Sequence, residues 1–380
     1  MKFIYLSLFS VLFSLSAFAQ RKYSNEFLNI GVGSRAFGMS GAVAASTNDV
    51  YSGFWNPAGL TQMSGNAQVG LMHSEYFAGI AKYDFGGFAT AIDNTSYVGL
   101  SVIRFGVDDI PDTSELIDAD GNINYNKVKS FSTADYAFLL SYARKVKGKN
   151  STISKFSYGV NAKIIHRKVG SYGKAWGFGI DAGAQYRLKK FTFALMAKDI
   201  TTTFNGWSYT AENLEEVFLR TDNDIPVNSL EITLPSFILG TAYSSPITKK
   251  VGITAEINMK LTTDGPRNVL LRQDNQALSL DPNAGIELDY AKIVYLRGGV
   301  GNIQRGLDFE DQESFSFQPN IGLGIKISNF SIDYALTNIG NTSDALYSNV
   351  FSLRLDLIKK KRPEIIEPVG PKIINLYPTE

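Results

Sequence analysis

The sequence predicts an all-β fold: a membrane-spanning antiparallel β-barrel of about 14 strands with an N-terminal hatch in the lumen. Three observations predict it. Segments with period-two alternation follow one another from Asn66 to Ile358. Their connections are by turns tight and long, as short periplasmic turns opposite long external loops would be. A secretory leader precedes them, and no later apolar run reaches the roughly 18 residues a spanning helix needs.

Residues 1–19 read as a signal peptide. Lys2 forms the charged start, Phe3 to Leu15 the apolar stretch, and Ala17-Phe18-Ala19 the small-residue cleavage pattern, so the mature chain is expected to begin at Gln20. Residues 20–65 form the expected hatch. From Asn25 to Leu60 the chain is dense in Gly, Ala and Ser and almost free of charge, which suits close backbone packing. Asn56-Pro57-Ala58-Gly59 marks a turn within it. Gly31-Val32-Gly33-Ser34-Arg35-Ala36 also fits a dinucleotide fingerprint. That motif needs a buried strand before it and helix–strand alternation after it, and neither is present.

The barrel is expected over residues 66–358, with strands near 66–77, 79–93, 95–106, 134–147, 154–169, 174–188, 190–200, 233–245, 249–262, 280–290, 292–302, 315–327, 329–337 and 345–358. The alternation is clearest at Val251, Ile253, Ala255, Ile257, Met259 and Leu261, set against Gly252, Thr254, Glu256, Asn258 and Lys260. Periodicity alone does not say which face meets water, because a soluble sandwich and a membrane barrel show the same alternation. The count is even, as a closed antiparallel barrel requires, and many strands have the roughly 9–11 residues that cross a bilayer. Gly106 to Thr133, Thr201 to Thr233 and Thr263 to Ser279 are the expected long loops. Fourteen strands leave a wider lumen than their own side chains fill, so the small-residue segment is the available filler. Its backbone polar groups can pair with lumen residues such as Glu256, Lys260, Asp333 and Arg354. Residues 359–380 change character. Lys359-Lys360-Lys361-Arg362 leads into a periplasmic tail with four prolines, read as a disordered tail or as a docking peptide.

The segment Phe27-Leu28-x-Ile30-Gly31-x-Gly33-x-Arg35-Ala36-x-Gly38-Met39-x-Gly41-Ala42, followed by Trp55-Asn56-Pro57-Ala58-Gly59-Leu60, resembles the hatch of FadL-type outer-membrane proteins. It is closer to that of the PorV/PorQ family. Beyond Leu60 the likeness is one of strand pattern. The resemblance implies a 14-stranded barrel with Gly31, Gly33, Arg35, Gly38, Gly41, Trp55, Asn56, Pro57, Ala58 and Gly59 as hatch-motif residues. It further implies a cell-outer-membrane protein that assists type IX protein secretion, or surface attachment of cargo, through protein–protein contacts. The expected partners are then outer-membrane lipid, translocon or attachment-complex proteins and exported cargo. The alternative is a FadL-like channel for hydrophobic small molecules such as long-chain fatty acids.

The remaining chemistry is sparse. The chain has no Cys and only His73 and His166, which excludes disulfides, thiol nucleophiles and a His-based metal cluster. Net charge is +1, with no basic domain to attract nucleic acid. Asp118-Ala119-Asp120-Gly121-Asn122 resembles a calcium loop but has Ile123 in its next position, so a hairpin turn is the simpler reading. Leu214, Val217 and Phe218 share one face of a short helix in the longest loop and are the candidate partner-contact residues, with a loop helix capping the barrel mouth as the plainer reading. His73 is expected to face the lumen. No catalytic motif is present, so the chain is read as no enzyme, with no cofactor and no metal.

Overall fold

The computed structural model describes residues 24–359, apart from 118–120, 148–152, 211–214, 216–217, 219–223, 225–226, 266, 268, 273–277, 308–312 and 338–347. The expected signal peptide and residues 360–380 of the expected tail lie outside the described residues, and Lys359 ends the last strand instead of opening the tail.

Among the described residues, seventeen strand segments follow in chain order. The first nine are β1 (Gly65–Tyr76), β2 (Ala81–Ala91), β3 (Ser96–Asp112), β4 (Lys129–Lys147), β5 (Ile153–Val169), β6 (Gly173–Leu188), β7 (Phe191–Lys198), β8 (Thr203–Tyr209) and β9 (Ser229–Thr233). The rest are β10 (Ser236–Pro246), β11 (Val251–Thr262), β12 (Leu271–Arg272), β13 (Ser279–Tyr290), β14 (Val294–Leu307), β15 (Glu313–Ile327), β16 (Phe330–Thr337) and β17 (Ser348–Lys359). All pairings are antiparallel, and β17 closes onto β1 with Leu353 opposite Leu71.

These segments make 14 staves. β7 and β8 both pair with β6 and are one stave interrupted at 199–202. β9 and β10 pair with β8 and β7 in turn and are one stave interrupted at Leu234-Pro235. β12 adds two residues beside the start of β13.

The face left open by periodicity is settled by burial. Leu71, Phe178, Leu239, Ile257 and Leu323 stand exposed on the outside, while Asn161, Asp181, Glu256 and Arg297 are buried inside. An apolar exterior around a polar interior is the pattern of a barrel in lipid. His73 is a correction. It alternates with the buried Met72 and Ser74, shares the outer face with Leu71, and its Nδ1 lies 2.7 Å from Asp84.

One other expectation shifts. The long loop drawn from Gly106 to Thr133 is shorter, because pairing between β3 and β4 continues past a bulge between Val107 and Ile110, where Asp109 takes φ 56°. At the same end two connections are tight, as the expected strand bounds at 77/79 and 169/174 imply. Phe77, Ala78 and Gly79 all take positive φ between β1 and β2, and Gly170 does so between β5 and β6. Each makes a turn too sharp to leave a loop.

Candidate functional site: the occupied lumen and the break in the wall

Residues 24–64 run along the inner face of the staves. They form short helical turns at Glu26–Asn29, Ser34–Gly38, Ser52–Trp55 and Pro57–Gln62. None is long enough to satisfy its own backbone, so partners come from the wall. Glu256 of β11 accepts the backbone N–H groups of Ala45 and Ser46 at 2.7 and 2.8 Å. Ser34 donates to the Val350 carbonyl of β17 at 2.9 Å, and Asn161 of β5 donates to the Gly53 carbonyl at 2.8 Å. The Tyr51 hydroxyl lies 2.9 Å from the carbonyls of Leu71 and Leu353, where β1 meets β17.

Charge is matched in the same way. Arg35 pairs with Glu287 at 2.9 Å, and Arg297 joins Glu287 to Asp333 at 2.6 Å each. Asp49 pairs with Arg354 at 2.6 Å. Such buried pairs are tolerated because every charge has a partner, and removing one partner strands the other.

The motif residues come together around this framework. Gly31, at φ 100°, faces the Trp55 ring, whose Nε1 donates to the Val32 carbonyl at 2.8 Å. Gly33, at φ 84°, packs on the Tyr51 ring, and Gly38 meets the backbone of Gly322. Gly41 also takes positive φ beside Trp55. Asn56 accepts the Ala58 N–H at 3.1 Å and donates to the carbonyls of Ala44 and Ala184 at 3.2 Å, tying the turn to β6. Pro57 and Ala58 press against Gly159 of β5, where a Cβ would fall 2.7 Å from their backbone. Gly59 is needed for closeness, since its Cβ would meet the Thr47 carbonyl at 2.6 Å; its φ is not in the left-handed region.

Leu214 and Val217 lie outside the described residues, and Phe218 is helical and half-buried. Asp118, Ala119 and Asp120 also lie outside them. The bridge between Ile117 and Ile123, with Gly121 at φ 83°, fits the hairpin reading of that loop.

Loss of the Glu256 carboxylate is expected to loosen the segment measurably. Each stranded buried donor costs about 1–3 kcal/mol. E256L keeps the side chain's bulk and strands two N–H groups, so hydrogen exchange at 45–46 is expected to rise roughly tenfold or more. Exchange equal to that of the wild type would show that the carboxylate does not hold the segment.

The wall is broken on one side. Between the pairs Lys198–Ser236 and Thr203–Thr233, four residues of one stave oppose two of the next. Asp199 and Thr202 take φ 55° and 60°, which folds Asp199 inward. There Lys163 donates to Asp181 at 3.0 Å and to Asp199 at 2.5 Å, and the Asp199 N–H donates to Asp181 at 2.8 Å. Thr203 also donates to Asp199.

A recess of about 40 Å³ lies behind this break, lined by Phe54, Leu139, Lys163, Lys198, Leu234 and Pro235 among others. It adjoins a vestibule of about 700 Å³ inside the barrel, lined in part by Phe37, Trp55, Ile238, Asn283 and Gln318. Phe54 and Lys198 border both spaces, and Lys198 Nζ sits 4.0 Å from the centre of the Phe54 ring. In the loop over the vestibule, burial disfavours the charge of Arg267. Hydrogen bonds that the guanidinium donates to the Asp264 and Glu26 carboxylates outweigh it and hold the group above its ordinary range.

The sequence reading missed Lys163, Asp181 and Asp199. The available signal was weak: Asp181 stands among the inward glycines Gly177, Gly179 and Gly183, and Thr201-Thr202-Thr203 ends the alternation of the seventh expected strand.

These features define a closed 14-stave outer-membrane β-barrel. Solved structures share the fold. The chain aligns with the CymD monoaromatic hydrocarbon channel at TM-score 0.53 and 12% identity, over 89% of this chain and 99% of that one. It aligns with the Pseudomonas putida toluene transporter TodX at 0.51 and 12%, over 87% and 99%. The Ralstonia pickettii toluene transporter TbuX follows at 0.50 and 11%, over 86% and 98%. All three are named as channels or transporters. No family model matches the sequence, and no curated protein matches it.

Proposed function

We propose that this protein is an outer-membrane channel for small hydrophobic compounds, which enter the vestibule and leave sideways through the break at Asp199–Thr202. The break carries the reading. A barrel wall normally satisfies every ladder hydrogen bond, because lipid offers no alternative partner. Here pairing stops beside a recess that holds Phe54, Leu139 and Leu234 and adjoins a vestibule large enough for a small ligand. Named hydrocarbon channels of the same fold support the reading. Residues 20–65 act in it as a hatch closing the lumen to hydrophilic solutes, and residues 1–19 as the leader removed on export to the outer membrane. The protein's work is passage and binding, without catalysis.

The test compares a full deletion with its complemented strain. Uptake of labelled toluene and of a labelled long-chain fatty acid is measured beside surface display of exported cargo. Lower uptake of either probe with normal display is the expected result. Unchanged uptake with lost display would overturn it and return the protein to type IX secretion, the role implied by the likeness of its N-terminal motif.

A further inference from the structure

We propose that Lys168 and Lys174 form a binding site on the outer wall for the phosphorylated headgroup of an outer-leaflet lipid. The inference does not depend on what passes through the lumen. It rests on register and depth.

Tyr136, His166 and Trp176 stand opposite one another on β4, β5 and β6 and share the outer face. Their rings form a row, with His166 at 6.5 Å from Tyr136 and 4.2 Å from Trp176. A second aromatic row, Phe156, Tyr186 and Phe193, crosses the same wall nearer the other end. From Trp176 to Tyr186 the strand climbs about 33 Å at 3.3 Å per residue. A tilt of about 40° reduces that to about 25 Å, the height of the apolar band on an outer-membrane barrel. The residues between are Phe178 and Ile180, with Ala182 and Ala184. The two rows are therefore the aromatic girdles at the two faces of the bilayer.

Lys168 and Lys174 sit one outward position beyond the upper girdle. They are directly opposite each other on neighbouring strands and exposed. Like charges in that position repel and weaken the sheet. Their lateral neighbours in the row are Ala134 and Ser208, so no carboxylate stands beside either. Among the described residues neither lysine forms an ion pair. At the same rim two other cations are matched within the protein: Arg104 with Asp84 at 3.3 Å and Lys82 with Asp108 at 3.2 Å. Two unmatched ammonium groups above an aromatic shelf, at headgroup depth, suit a phosphate ester whose acyl chains lie along Phe138, Ile164, Phe178 and Phe204. The expected gain is about thirtyfold in affinity for two lysines near an anionic surface.

The experiment uses the full chain purified in detergent and mixed with bis-phosphorylated lipid A, with its dephosphorylated form, or with phosphatidylcholine. Retained lipid is counted by native mass spectrometry. Wild type is expected to hold the phosphorylated form and lose the other two. K168Q/K174Q is expected to hold it about thirtyfold less well, while K249Q/K250Q at the opposite rim behaves as wild type. Equal retention of phosphorylated and dephosphorylated lipid by wild type would overturn the proposal without reference to any variant. So would a K168Q/K174Q protein that binds as wild type does, or a K249Q/K250Q protein that loses the lipid equally.

Discussion

Removing Thr201 and Thr202 is expected to cut hydrocarbon uptake about tenfold while the barrel still assembles. The deletion leaves two residues opposite Leu234-Pro235 where there are now four, so the ladder between Lys198–Ser236 and Thr203–Thr233 can run on without a bulge. Asp199 would no longer need its left-handed backbone, and the recess beside Leu139 and Leu234 is expected to close. A tenfold loss is about 1.4 kcal/mol on the barrier to passage, a modest demand for blocking an exit. Assembly is checked by the gel shift between unheated and boiled protein. Uptake of labelled toluene equal to that of wild type, in a folded variant, would show that the compounds leave by another route.

The second large effect concerns the N-terminal segment. Deleting residues 24–62 is expected to turn a closed barrel into an aqueous pore. The staves pair only with one another, so their ladder does not need the segment. Fourteen staves enclose more room than their own side chains occupy. Ion conductance across a planar bilayer should rise from background to open-pore levels, and entry of hydrophilic antibiotics should rise with it. G59V is the graded form of the same test. Its Cβ would lie 2.6 Å from the Thr47 carbonyl and 2.8 Å from the Ser52 hydroxyl, so the turn that holds Asn56 against β6 has to shift. An intermediate conductance is expected. A deletion mutant that conducts no more than wild type would mean that the lumen is closed by something other than this segment.

Much of the fold was legible in the sequence, for a physical reason. A strand with lipid on one side and a filled lumen on the other has two strongly different faces, and the alternation at Val251–Leu261 records that difference residue by residue. Glycines that admit a neighbouring backbone were legible in the same way, as at Gly38 and Gly59. What the sequence hid was irregularity. Nothing about Asp199 or Thr202 as residue types demands a left-handed backbone, and a bulge costs the alternation only one short interruption. The candidate exit therefore could not be found by periodicity. Long-range charge matching was hidden as well: Arg35 and Glu287 are each ordinary, and their pairing exists only once the cylinder is closed.

That closure carries a consequence for biogenesis. Ser34 finds its partners at Val350 and Ser352, Asp49 finds Arg354, and Gln68 finds Asp356. All of these lie on the stave that is synthesised last. Ser34, Asp49 and Gln68 must therefore wait for these partners until the final hairpin is delivered and the seam between β1 and β17 is sewn. Contacts of such separation are slow to form, and they make insertion and lumen filling one event in time. A chain stopped before Ser348 would be a curled sheet with a loose leading end, open to proteases. Pairing of Ser348–Lys359 with β1 therefore completes the wall and these lumen contacts in one step.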